Sequence, residues 1–228
     1  VVGSQRIIKM LDVHEGEIVV EEKGIYSIEN FLVARRLMYW QVYLHKTVIA
    51  AEFLLVSIVR RARELFSQGE GLFASPALKY FLTQKIGRKE FEQDEQVLHQ
   101  YASLDDHDVL GAIKVWTGHK DKVLSELSTA LINRRLPKIR LSKTPFTAEE
   151  IELWKEKVKK AKDLSDQEVD FYITSGKVVN NAYDTDNEHI HIKYKDGRVI
   201  DVAEASDTLN ISALSSKVEK YFLMVPRD

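Results

Sequence analysis

The sequence predicts a mainly α chain followed by a small α+β domain, and three observations carry that prediction. Apolar residues recur at helical spacing over nearly all of residues 1–136. Beyond Pro137 the pattern changes to period-two alternation, and Asp196-Gly197 sits between two alternating runs, a strong short-range hairpin signal. The expected organisation is a helical domain over residues 1–140 and an α+β domain over residues 141–228. A chain of 228 residues can bury a real core, and 44% hydrophobic with 30% charged residues lacks the low-hydropathy bias of disorder.

In chain order, residues 5–12 (QRIIKMLD) have the spacing of a helix end, and EGEIVVEEKG reads as a short strand closed by Gly24. Ser27 and Asn30 offer capping chemistry before one long helix running to about Ser67. SQGEGLFASP is a Gly/Pro/Ser connection. PALKYFLTQK, RKEFEQDEQVLHQYA, HDVLGAIKVW and KDKVLSELSTALINRR then repeat helical spacing. KIRLSK is strand-like. Thr147, with Glu150 three residues on, opens a surface helix with a capping box. EVDFYITSG, HIHIKYKDGRVIDVA and KVEKYFLMV alternate as strands.

Charge and composition remove several function classes. With 33 basic and 35 acidic residues the formal charge is −2, so no global field recruits nucleic acid or an anionic membrane, and a polyanion must be met by a local cluster. No cysteine is present, which excludes disulfides, thiol nucleophiles and thiolate zinc sites and fits a reducing cytoplasm. The longest apolar run, TVIAAEFLLVSIV, is interrupted by Glu52 and falls short of the ~20 residues a bilayer demands. The chain opens on Val1-Val2 rather than Met, with helical spacing at once, so it is expected to enter a longer protein partway.

The long helix carries the chemistry. At about 100° per residue, Val33, Leu37, Leu44, Val48, Ala51 and Leu55 form one stripe, taken as the core face. Arg35, Tyr39, Tyr43 and Lys46, spaced 4, 4 and 3 apart, share the opposite side. On spacing alone a solvated outer face is the stronger account of those four. Val42 and Phe53 near the same stripe suggest a second buried side, and there an arginine and a lysine need an anion beside them. A phosphate chain suits them: a guanidinium forks onto two oxygens, an ammonium adds a point charge, and a phenol ring stacks on sugar or base.

The run ARRLMYWQVYLHK resembles the helix that follows the metal site in HD-domain phosphohydrolases of the dNTP triphosphohydrolase type, among them the vertebrate SAM-and-HD-domain enzyme and its bacterial relatives. QRIIKMLDV before it, and LDDHDVLGAI through LINRRLPKI after it, resemble further segments of that family in the same order. The resemblance covers most of residues 5–140, with the α+β part similar only to the bacterial branch. It implies an HD-like helical bundle portion and a reaction in which a metal-bound water attacks the α-phosphorus of a dNTP, releasing deoxynucleoside and triphosphate. The family's ligands, a His, a His-Asp pair and a distant Asp, lie upstream of this segment. The resemblance therefore implies a divalent metal in the parent enzyme (magnesium, manganese, iron and zinc are not distinguished), no catalytic or metal-binding residue here, and no turnover by this chain alone.

Carried over by position, Arg35 matches the arginine that grips the triphosphate and Tyr43 the tyrosine that packs on the deoxyribose. Tyr39 stands where the vertebrate enzyme has a histidine near the reacting phosphate, and Leu44 where it has a polar base contact. Those departures leave the base preference open. His45 and Lys46 match residues facing an allosteric nucleotide between subunits, Arg134 matches another such contact, and Lys138 is a further candidate. The implied partners are dNTPs, a dGTP or GTP effector and further copies of the chain as a homo-oligomer. For Arg134 and Arg135, cations drawn to a helix C-terminus are the alternative.

Other motifs read as structure. His107-Asp108 imitates an HD pair, but His99, His119 and Asp121 do not reproduce the family's arrangement, and Asp105, Asp106 and Asp108 sit where a helix starts. His189 and His191 share a strand face but are too few for a closed metal site. Lys155 to Lys162 form a basic stripe with compensating glutamates, expected to be solvated. No nucleic-acid module is found, and a nucleic-acid role would need a basic patch that the overall balance does not show. A nucleotide-sensing or oligomerisation module without chemistry, and a plain helical scaffold, remain competing functions.

Overall fold

In the computed structural model, residues 3–180, 183, 189–206 and 218–227 are described. The chain is mainly α, followed by a small α+β portion, as predicted. Helix α1 (Ser4–Lys9) leads into β1 (Leu11–His14) and β2 (Glu17–Glu21), an antiparallel pair with His14 opposite Glu17. Glu15 (φ 52°) and Gly16 (φ 86°) are both left-handed, the geometry of a two-residue type I′ turn. The sequence pattern showed only the second strand, because Leu11 and Asp12 continue the spacing of the preceding helix.

Helix α2 (Ile25–Met38) starts two residues before the expected Ser27 cap, after a single tight turn at Glu22–Gly24. Gly24 is there for space: a Cβ on it would lie 2.6 Å from Val20 Cγ1. The expected continuous helix to Ser67 is interrupted. Residues Tyr39–Tyr43 form a π turn in which Leu44 N–H donates to Tyr39 C=O at 2.7 Å, and α3 (Lys46–Ser67) begins anew. The run of aromatic and β-branched residues Tyr39, Trp40, Val42, Tyr43, Thr47 and Val48 has weak helix propensity, which lowers the cost of the break.

The interruption also overturns the expected core stripe. Val33, Leu37 and Val48 are exposed, and Leu44, Ala51 and Leu55 are half-buried. The buried rows are instead Ile25, Ile28 and Leu32 on α2, and Ile49, Leu54, Ile58, Ala62 and Leu65 on α3. Each row has helical spacing, but their phases differ across the π turn, and buried Ser57 and Arg61 disguise the second row.

Helices α4 (Pro76–Thr83), α5 (Arg88–Gln93), α6 (Glu95–Ala102), α7 (Asp106–Trp116) and α8 (Lys122–Ile132) follow, with Ser75, Asp94, Asp105 and Asp121 accepting the first N–H groups of α4, α6, α7 and α8. Asp94 splits the single helix expected over RKEFEQDEQVLHQYA. Strand β3 (Lys138–Ser142) precedes α9 (Ala148–Lys162), which has the anticipated Thr147–Glu150 capping box. Residues Asp166–Val169 form α10 rather than the start of a strand, and β4 is Thr174–Asn180. β5 (His191–Lys193) and β6 (Val199–Asp201) make the anticipated hairpin, with Gly197 at φ 89°. Here the turn has three residues, closed by Tyr194 N–H on Arg198 C=O at 2.8 Å. Helix α11 (Val202–Ala205) and β7 (Val218–Val225) complete the chain.

Two compact units result, Val1–His45 with Lys177–Lys220, and Lys46–Gly176 with Tyr221–Asp228. This partition runs differently from a division at residue 140. In the first unit the amino-terminal hairpin joins the later one in a sheet of order β1-β2-β5-β6, with Val20 opposite Ile192 in a parallel pairing. Val20, Ile28, Leu32, Tyr183, Ile192 and Val202 form its core. The strand pattern reveals period two but not which distant strand is the partner.

The second unit packs α3, α4, α7 and α8 with β3 and β7 around Ile58, Ile113, Trp116, Leu124 and Leu223. The Trp116 indole N–H donates to Phe73 C=O at 2.9 Å. Buried Arg61 of α3 holds the start of α8: its Nη2 lies 2.6 Å from Asp121 Oδ2 and its Nε 3.1 Å from Oδ1, while its Nη1 reaches Glu64 at 2.8 Å. Among the described residues no single helix is long and apolar enough to cross a membrane.

Candidate functional site

Arg35, Tyr39 and Tyr43 come together. With Phe31, Ala34 and Met38 they line a cavity of about 510 Å³ along the end of α2 and the π turn. The Tyr39 and Tyr43 rings stand 5.2 Å apart at 53°, and Arg35 Cζ lies 5.9 Å from the Tyr39 ring centre. A turn closed at i→i+5 keeps residues four apart on nearly one side, which aligns the two phenols. Phe31, Ala34 and Met38 were missed, although Phe31 extends the spacing of four that links Arg35, Tyr39 and Tyr43. Lys46 is not among the residues that line this cavity: it is the exposed first residue of α3, in the other unit.

Of the four expected effector residues, one belongs to the first unit and three to the second. Exposed His45 closes the first unit and Lys46 opens the second. Arg134 follows α8 in a left-handed conformation (φ 55°), with Arg135 N–H closing onto Ala130 C=O at 2.8 Å. Glycine usually occupies that place, and a side chain costs about 1–2 kcal/mol there. Arg134 lines a cavity of about 540 Å³ together with Arg135, Arg227, Lys162, Glu126 and Tyr172, over a floor that includes Leu127 and Met224. Lys138 lines a neighbouring cavity of about 400 Å³ with Trp154, Val225, Pro226 and Arg227.

Within the larger cavity Glu126 is committed. Its Oε2 accepts from Lys162 Nζ at 2.8 Å and from the Tyr172 hydroxyl at 2.9 Å. Burial raises the pKa of its carboxyl, but those two donors outweigh burial and hold it below the usual range. Burial, then the Glu126 charge, pushes the Tyr172 phenol far above its ordinary value.

The remaining motifs resolve into structure. Asp105 accepts from His107 and Asp108 N–H, so the His107-Asp108 pair is a helix start, with His107 exposed. His189 and His191 stack 5.8 Å apart at 8°, each Nδ1 3.5 Å from a carboxylate, of Asp201 and Glu17 respectively. Among the described residues no three His, Asp or Glu side chains converge to hold a metal ion. The α9 lysines are less solvated than expected: Lys155 pairs with Asp170, Lys159 with Asp166 and Lys162 with Glu126.

Comparison with known proteins agrees with this architecture. Residues 2–71 match the family described as the HD associated region. A crystal structure described as a phosphohydrolase from Bacteroides thetaiotaomicron VPI-5482 is 49% identical, with a TM-score of 0.89 over 99% of this chain and 56% of that one. A hypothetical protein from Aquifex aeolicus shares the fold, with a TM-score of 0.58 at 22% identity over 97% of this chain and 47% of that one. YwfO of Bacillus subtilis (strain 168), described as uncharacterized, is 32% identical over 132 residues, 58% of this chain and 28% of that protein. The chain thus spans 28% of the curated relative and about half of each solved structure.

Proposed function

We propose that this chain, related to the HD-domain proteins and similar in structure to a phosphohydrolase, supplies nucleotide contacts to a deoxynucleoside triphosphate triphosphohydrolase, which splits a dNTP with water into deoxynucleoside and triphosphate. The supporting observation is the single cavity on which Arg35, Tyr39 and Tyr43 converge. Its lining is apolar apart from the guanidinium and the phenols, and Phe31, Met38 and Tyr43 are exposed, so a bound anion there meets one fixed cation on an open face. Arg35 forks onto two phosphate oxygens, orienting the chain of phosphates. The tilted pair Tyr39 and Tyr43 presents flat faces and hydroxyls to a sugar, and close contact at C2′ disfavours a ribose. The described residues do not fit a resident metal, and no step here passes through one.

Assay of the whole protein with dNTPs should release intact triphosphate, seen by ion chromatography. In Tyr43→Ala, preference for dGTP over GTP should fall about tenfold, roughly 1.4 kcal/mol of discrimination. Release of diphosphate or orthophosphate instead, or unchanged discrimination, would remove the support for this assignment.

A second function, a nucleotide-sensing or oligomerisation module, is favoured by Arg134, held in a strained backbone at the rim of a cationic cavity. In that function dGTP or GTP binds among Arg134, Lys138, His45 and Lys46 across copies of the chain. Calorimetric titration with either nucleotide should give binding heat that Arg134→Ala abolishes; silence at millimolar nucleotide from folded protein argues against it.

A further inference from the structure

The π turn Tyr39–Tyr43 decides where Tyr43 stands relative to Arg35. One extra residue in a turn rotates everything after it by about 100° relative to a continuous α-helix. The entrance to this turn is loosened. Tyr39 N–H is shared between the carbonyls of Arg35 and Arg36, and Asn180 Nδ2, 144 residues along the chain, donates to the Arg36 carbonyl at 3.4 Å. A side-chain donor that enters a helical ladder draws the carbonyl outward and favours a break there. Lys220 of β7 adds a second hold, its Nζ 3.9 Å from the centre of the Trp40 ring within the turn. Asn180, Lys220 and the turn all belong to the first unit.

Asn180 is an unusual occupant of its place. It is 2% exposed at the end of β4, where asparagine is depleted, and its Oδ1 has no hydrogen-bond partner among the described residues. Burying half of an amide unpaired costs stability, and a leucine of similar shape avoids that cost. Stability therefore does not account for the asparagine. Its remaining asset is the donor it gives to Arg36. We propose that Asn180 is a positioning residue: its amide on the Arg36 carbonyl holds the turn closed at i→i+5 and so sets Tyr39 and Tyr43 beside Arg35. The register follows from the geometry, while its consequence for a substrate rests on the proposed dNTP function. With i→i+4 closure throughout, Leu44 N–H returns to the Trp40 carbonyl and Tyr43 swings by about 100° relative to Arg35. Asn180 does not line the cavity, so it acts on a ligand only through α2 and the turn. A local rule broken in the core is thereby exchanged for alignment at the cavity.

NMR of the whole protein, protonated only at its tyrosine rings, tests this. Rings 5.2 Å apart should give a cross-peak between Tyr39 and Tyr43, assigned by its loss in Tyr39→Phe and in Tyr43→Phe. Asn180→Leu should weaken that cross-peak while the melting temperature stays level or rises. Asn180→Ala, which adds no bulk, should weaken it in the same way, and Asn180→Gln, which keeps a donor, should restore it in part. In turnover, Asn180→Leu should lower the preference for dGTP over GTP by about tenfold, in step with Tyr43→Ala. The ring spectra need no turnover, so they decide the register even where triphosphate release fails. An intact cross-peak in both Asn180→Leu and Asn180→Ala, a melting temperature that falls in Asn180→Leu, or unchanged discrimination once the rings have moved apart would each overturn the proposal.

Discussion

Asp121→Ala is expected to lose about 3 kcal/mol of folding stability, because it leaves the buried Arg61 guanidinium with Glu64 as its one remaining carboxylate partner. Arg61 is 9% exposed, and two of its three hydrogen-bond donors to carboxylates go to Asp121. The same carboxylate caps α8 through Leu124 N–H at 2.8 Å, a contribution of about 1 kcal/mol lost together with the ion pair. Replacing both partners, Arg61→Met with Asp121→Ala, should recover part of the loss, since the stranded charge is what costs most. Acid sharpens the test. Burial raises the pKa of the Asp121 carboxyl, but hydrogen bonds from Arg61 and Leu124 and the Arg61 charge outweigh it and lower the folded value. Its stabilisation is then complete above the unfolded pKa of about 3.9 and disappears as pH falls through the folded value. Denaturant midpoints of parent and variant should therefore differ most near neutrality and converge in strong acid. A difference below ~1 kcal/mol at neutral pH, or one that widens on acidification, would contradict the role assigned to this pair.

Arg35→Ala in the whole protein should lower kcat/KM for a dNTP by about 10²–10³, the usual cost of deleting one preorganised charged donor. Arg35 is half-buried three residues beyond Leu32, beside the row of Ile25, Ile28 and Leu32, so melting curves read alongside the rate separate a lost phosphate contact from lost folding. Arg35→Lys should restore only part of the rate: an ammonium keeps the charge but loses the planar fork that grips two oxygens. An unchanged rate in Arg35→Ala would leave the cavity without a role in turnover. It would favour instead a scaffold function for α2.

Local chemistry made much of the fold readable. The Thr147–Glu150 box, the Asp105 start of α7 and the Asp196-Gly197 turn each depend on residues within a few positions of one another, so their signals survive in one dimension. Arg35, Tyr39 and Tyr43 were legible for the same reason, as neighbours at a spacing of four on one helix. Lys46, grouped with them on spacing, does not line that cavity, and the helix breaks between Tyr43 and Lys46. A π turn differs from an α turn by one residue in the hydrogen-bond ladder, and the residue types around it tolerate either.

Distant partnerships were beyond the reach of pattern. Nothing in EIVVE indicates that Val20 lies opposite Ile192, because period two states that a strand has two faces and not what it pairs with. The cations of RRLPKIRLSK were visible in order, yet they became a groove only when β7 returned antiparallel to β3 and delivered Pro226 and Arg227 beside them. Residue order set the helices, their caps, the short turns and the phenol–guanidinium face. Folding chose the pairing of strands, the split into two units and the two cationic cavities, since those depend on buried area shared between segments far apart in the chain.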